Sequence, residues 1–188
     1  MGTRADFYKV AAENHVEVLR YPMPIIGSMS TEVNGACYIG LDNSKPCTYA
    51  EEQARIGHEL GHCLYGGFYS MATPFDIVER HEVRADHWYI RHAIPKQVLF
   101  DLLKQGRDAD EIAEILDTTE EYVRRAYYYY KENPNVADEE YRREEVDYDF
   151  PPMAAKNGTE STLAIKQYTR ALMPFSVGLA LQSVRWPK

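Results

Sequence analysis

Apolar residues along the chain change their period several times, and each change predicts an element. Phe7, Val10, Ala11 and Val18 recur at helical spacing, so Asp6 to Leu19 reads as a short amphipathic helix. Tyr21 to Ile26 contains Pro22 and Pro24 and reads as an extended lead-in. Asn34-Gly35 is a strong turn signal. Ala36 to Leu41 then alternates loosely through Cys37, Tyr38 and Ile39, which predicts a strand. Asp42 to Pro46 is a polar loop. A helix should follow from Thr48, because Thr48 with Glu51 forms a capping box. Its apolar side holds Ala54, Ile56, Leu60 and Leu64, and Gly66-Gly67 stops it. After a loop with Pro74, a second long helix should span Phe75 to Ala93 and end before Pro95. Lys96 to Gln105 is a further short helix closed by Gly106. Asp108 to Lys131 gives two more helices, broken at Asp117-Thr118-Thr119 and ended by Asn133-Pro134.

The pattern then fails. Glu132 to Asp149 holds eight acidic residues against Arg142 and Arg143, the composition of a solvated segment. Pro151-Pro152 and Asn157-Gly158 prolong it. Thr162 to Lys188 has no acidic residue and carries Lys166, Arg170, Arg185 and Lys188. The expected organisation is a main domain over 1–106, a helical pair over 107–132 packed on it, an acidic linker over 133–162 and a basic, partly apolar tail over 163–188. No internal repeat is visible.

Composition narrows the function classes. Of the 188 residues, 45% are hydrophobic and 27% charged, a globular balance in a chain long enough to bury a core without staples. The formal net charge of -8 gives no basic field of the kind that marks nucleic-acid binders, so DNA binding is not expected. Cys37, Cys47 and Cys63 are odd in number and lack a Cys-x-x-Cys pair, so they are expected to be reduced thiols in a reducing compartment. Met1 to Val10 carries Arg4, Asp6 and Lys9 and no apolar run, unlike a signal peptide. The most apolar stretch, Ala171 to Trp186, is interrupted by Pro174, Gln182 and Arg185 and is too short to span a bilayer. A cytoplasmic protein without membrane attachment is expected.

Candidate chemistry lies in His58-Glu59-Leu60-Gly61-His62. Helical positions four apart stand about 40° apart around the axis and one turn along it, so both imidazoles can converge on one cation. Glu59 projects beside them, where a carboxylate can hold and deprotonate a water. Composition alone yields such a match in about one of fifty similar chains, so the context matters. The segment is independently expected to be helical, and small Gly61 between the histidines permits close approach. Zinc in a catalytic site takes a third protein ligand and leaves one position open. On the next helix Glu82 and Asp86 share a face one turn apart. Glu82 is assigned as third ligand. Asp86 is assigned as the acceptor that orients one ligand histidine through its other ring nitrogen. His81, Glu79 and His87 compete for the third-ligand role. Tyr65, Tyr69 and Tyr89 are candidates for stabilising an oxyanion. Phe68 and Tyr65 occupy the places where a metzincin needs a third His and a Gly.

Asp110 to Arg125 has the outline of a helix-turn-helix, with Ala113 at the close-packing position. Its second helix opens with Glu120 and Glu121, which would face phosphates badly, and Arg124, Arg125 and Lys131 add little positive charge. A structural or substrate-docking role is expected. Tyr127 to Tyr130 run consecutively, so a helix must expose some of them; two buried and two surface tyrosines are expected.

Asn34-Gly-Ala-Cys-Tyr-Ile-Gly-Leu-Asp42, the His58 to His62 motif and Glu82-x-x-Ala-Asp86 together resemble the ImmA/IrrE family of metallopeptidases over roughly residues 15–130. The resemblance implies an α+β, mostly helical, minimal gluzincin-like zinc peptidase domain with a small sheet, followed by the helix-turn-helix-like pair. It implies Zn2+ on His58, His62 and Glu82, Glu59 as base and Asp86 as orienting acid. It also implies that Tyr38, Ile39 and Gly40 lie on an active-site edge strand that holds extended substrate. Several such enzymes cleave a phage or mobile-element helix-turn-helix repressor, so the expected function is endopeptidase cleavage of a cytoplasmic repressor. The alternatives are a DNA-binding regulator using the helical pair, and an antirepressor that binds protein without cleavage.

Overall fold

The computed structural model describes residues 6–136 apart from positions 24, 66 and 71. It is α+β, with six helices and a three-stranded mixed sheet among the described residues. The linker and tail expected beyond residue 136 lie outside them.

Helix α1 (Phe7–Glu13) is shorter than the sequence pattern predicts. Asp6 caps it by accepting from the Tyr8 and Lys9 amides. His15 then adopts φ 57, which stops the helix. Glu17–Tyr21 is therefore strand β1, not a continuation of helix. Strand β2 (Ser28–Val33) was not expected either. It joins β3 (Ala36–Asp42) through a two-residue turn with both Asn34 and Gly35 at positive φ.

The strand order is β1-β3-β2, with β1 parallel and β2 antiparallel to β3. Strand β3 is thus central. Tyr38 faces Glu17 and Thr31, Ile39 faces Val18 and Ser30, and Gly40 faces Leu19 and Met29. This corrects the assignment of Tyr38, Ile39 and Gly40 to an edge. Their backbone already has partners on both sides, so no substrate can pair with it. The edge on the antiparallel side is β2.

Helix α2 (Tyr49–Tyr65) begins after Thr48, whose capping box with Glu51 is complete. It lies across β2 and β3. Ile39, Leu41, Ile56 and Leu60 meet Phe7, Trp88 and Tyr89 in the first core. Ile39, Ile56 and Leu60 are fully buried, each worth roughly 1.5–3 kcal/mol. Helix α3 (Phe75–Ala93) packs closely on α2. Gly61 makes that approach possible, because a Cβ there would lie 2.7 Å from the Ala85 Cα.

Cys37 and Cys63 are joined by a disulfide, with Cα atoms 5.8 Å apart. This corrects the expectation of three free thiols; Cys47 alone is free. The pairing arises because α2 crosses β3 with these two residues facing, a juxtaposition their separation of 26 does not announce.

Helices α4 (Lys96–Lys104), α5 (Ala109–Leu116) and α6 (Glu120–Glu132) complete the elements among the described residues. A second core joins Ile90 and Ile94 at the end of α3 to Leu99, Ile112, Val123 and Ala126. It crosses the expected boundary at residue 106, since α4 shares it with α5 and α6. In the tyrosine run only Tyr130 is buried, with its hydroxyl donating to the Ile94 carbonyl; the other three are half-buried. No helix among the described residues is long and apolar enough to cross a membrane.

Candidate metal centre

Helical spacing sets the first two donors. His58 and His62 stand one turn apart on α2 with their Nε2 atoms 3.1 Å apart. The contact between α2 and α3 supplies the third. Glu82 places Oε2 3.3 Å from His58 Nε2 and Oε1 3.2 Å from His62 Nε2. Donors arranged tetrahedrally around zinc at about 2.0–2.1 Å are separated by about 3.3–3.4 Å. Each contact falls within a few tenths of an ångström of that, the two to Glu82 ending on different carboxylate oxygens, and one donor atom from each residue lies within 4.8 Å of the other two. His58, His62 and Glu82 therefore form a group able to hold a metal ion. Its two nitrogens and one carboxylate suit a divalent transition metal.

Each histidine is also held from behind. His58 Nδ1 lies 2.8 Å from Asp86 Oδ1. His62 Nδ1 lies 3.1 Å from the Gly67 carbonyl oxygen. A carboxylate and a carbonyl can only accept, so both rings donate from Nδ1 and leave Nε2 facing the shared point. Asp86, expected to orient a ligand histidine, places its carboxylate against His58.

The electrostatics are those of a cation site filled by a proton. Burial would lower the pKa of His58, but hydrogen bonding to Asp86 and Glu82 and the charge of Glu59 override it and raise it to about 10. Burial works against ionisation of Glu82, yet its bonds to His58 and His62 hold it well below the usual carboxylate range. Asp86 is likewise lowered against its burial, by His58, Arg125 and Tyr122.

Glu59 is buried beside this group and stands outside the donor triangle. Ser28 Oγ donates to its Oε1 at 2.8 Å and Ser30 Oγ to its Oε2 at 2.7 Å. Two serines at alternating positions of β2 thus face α2 together. Sequence reasoning missed them, and the alternation in Ser-Met-Ser was the available signal.

The remaining candidates fall away from the donor set. His81 contacts Arg84, Glu79 is exposed, and His87 packs at a tilt against Tyr129 with centroids 4.1 Å apart. Tyr69 donates to Glu82 Oε1 at 2.6 Å, its own pKa raised by burial and then by that carboxylate. Tyr65 offers its carbonyl to Arg84. Tyr89 belongs to the first core and bonds Thr118. Tyr122 and Arg125 on α6, unassigned from sequence, both reach Asp86. No family model, curated protein or solved structure matches the chain.

Proposed function

We propose that this chain is a zinc-dependent endopeptidase of the minimal gluzincin type. The observation that carries the reading is the grouping of His58, His62 and Glu82 with their donor atoms close enough to share one ion, and Glu59 next in sequence to His58 and outside that group. The motif resemblance to the ImmA/IrrE metallopeptidases points the same way. It also motivates the substrate class, a helix-turn-helix transcriptional repressor.

When bound, the ion supplies Lewis acidity toward a water and a peptide carbonyl. Glu59 accepts the proton of the attacking water and returns it to the departing amine. Ser28 and Ser30 steady its carboxylate during both transfers. An extended substrate pairs with β2, whose outer side has no partner strand among the described residues.

Glu59→Gln should retain zinc and lose at least about a hundredfold in cleavage rate, the scale of a general base. The assay is mass spectrometry of a repressor encoded beside this chain, with bound metal measured on the same samples. Cleavage at an undiminished rate refutes the assigned base. Binding of that repressor without cleavage, equal in both proteins, favours the antirepressor alternative. The DNA-binding alternative has less support. Arg124 pairs with Glu120, and Arg125 pairs with Glu121 and Asp86.

A further inference from the structure

Asp86 is an orienting carboxylate with more partners than orientation of one imidazole requires. Its Oδ1 lies 2.8 Å from His58 Nδ1 and accepts the Tyr122 hydroxyl at 2.9 Å. Its Oδ2 accepts from Arg125 Nη1. Both added partners come from α6, 36 and 39 residues further along the chain. They sit three apart, so they share one face of that helix, and the face is turned toward α3. Neither side chain is loose. The Tyr122 ring packs edge-on against Tyr89 with centroids 4.4 Å apart. The Arg125 guanidinium lies 5.3 Å from the Tyr122 ring centroid, and its Nη2 bonds Glu121.

We propose that α6 is a working part of the metal centre, with Tyr122 and Arg125 as positioning residues that fix Asp86 and, through it, the coordinating tilt of the His58 ring. This rests on reading the site as a metal centre. A carboxylate bonded to the histidine alone can rotate about its χ angles and carry the ring with it. Three bonds spread over both oxygens remove that freedom. The guanidinium also gives the carboxylate a charged partner in a partly buried place. The second helix of the helix-turn-helix-like pair thereby turns inward the Arg that a DNA-reading helix would present to a groove.

The test is zinc affinity by chelator competition on the full chain, with circular dichroism to verify folding. The variants are Tyr122→Phe, Arg125→Lys, Arg125→Gln, Asp86→Asn and the Arg125→Gln/Asp86→Asn pair. Tyr122→Phe and Arg125→Gln should each weaken zinc binding about tenfold or more, the usual cost of losing an orienting partner. Arg125→Lys should recover most of the Arg125→Gln loss. In the Asp86→Asn background, Arg125→Gln should cost little more, because its route to the metal is gone. Bound Co2+ should show altered visible absorption in the two weakened variants, which a purely structural loss would not produce. Wild-type affinity in both Tyr122→Phe and Arg125→Gln overturns the proposal, as does full additivity with Asp86→Asn. A wild-type chain that takes up no zinc overturns the metal reading and this proposal with it. Should Arg125→Gln fail to fold, Tyr122→Phe decides alone.

Discussion

His58 has two occupations that exclude each other. Without an ion it keeps a proton up to about pH 10, favoured by Asp86, Glu82 and Glu59 over the opposing effect of its burial. To coordinate, its Nε2 must be bare. Zinc uptake at pH 7 should therefore release close to one proton. Below about pH 10 the apparent affinity should rise roughly tenfold per pH unit. Titration calorimetry in buffers of different ionisation enthalpy measures this directly, and an enthalpy independent of buffer contradicts it. The same raised value stabilises the metal-free fold. That contribution is complete below about pH 6.5, where the unfolded histidine is also protonated, and disappears as pH climbs through about 10. The histidine pair and Glu59 were legible in the sequence because a one-turn spacing is local information. Ser28, Ser30, Tyr122 and Arg125 were not, because each reaches its partner across 29 to 39 residues.

At the scale of elements, legibility followed the punctuation. Helix α2 announced itself through Thr48 and Glu51, and α3 between Pro74 and Pro95, since caps and prolines act within a turn. Strand β2 had no such signal. Ser28, Ser30, Thr31 and Glu32 make it too polar to read as a strand. Its position comes from pairing with β3 and from the serine bonds to Glu59, both tertiary. The family resemblance implied an edge for β3, and the pairing with β2 makes it central instead. The disulfide was hidden for the same reason, and it has a measurable consequence. Cys37 and Cys63 close a loop of 26 residues between the central strand and the helix carrying both candidate ligand histidines. Chain entropy assigns such a link about 3 to 4 kcal/mol. Without reductant, denatured protein should titrate one thiol, that of Cys47, and three after reduction. Reduction, or Cys37→Ser with Cys63→Ser, should lower the guanidinium unfolding midpoint accordingly. Three thiols before reduction, or an unmoved midpoint, contradicts the link.

Over the whole molecule, two cores meet along α3. Trp88 and Tyr89 belong to the first and Ile90 and Ile94 to the second. The donor triangle bridges α2 and α3, and Asp86 with Arg125 bridges α3 and α6, so one short stretch of α3 ties all three helices together. An ion at that junction binds only when the junction is assembled, because the unfolded chain has no triangle to offer. Its binding free energy therefore adds to folding. Zinc at 100 times its dissociation constant should stabilise the protein by about 2.7 kcal/mol. For an ordered region of this size that corresponds to a rise of roughly 8–10 °C in thermal midpoint. Chelator should reverse the rise, and His58→Ala with His62→Ala should abolish it. Calcium should do little, since a site with two imidazoles suits softer ions. An equal shift from calcium, or a shift surviving loss of both histidines, would place the stabilising ion elsewhere. Cooperative loss of both cores in one transition is also expected, because α3 cannot leave one without leaving the other. Two separate calorimetric transitions would show that the junction does not couple them.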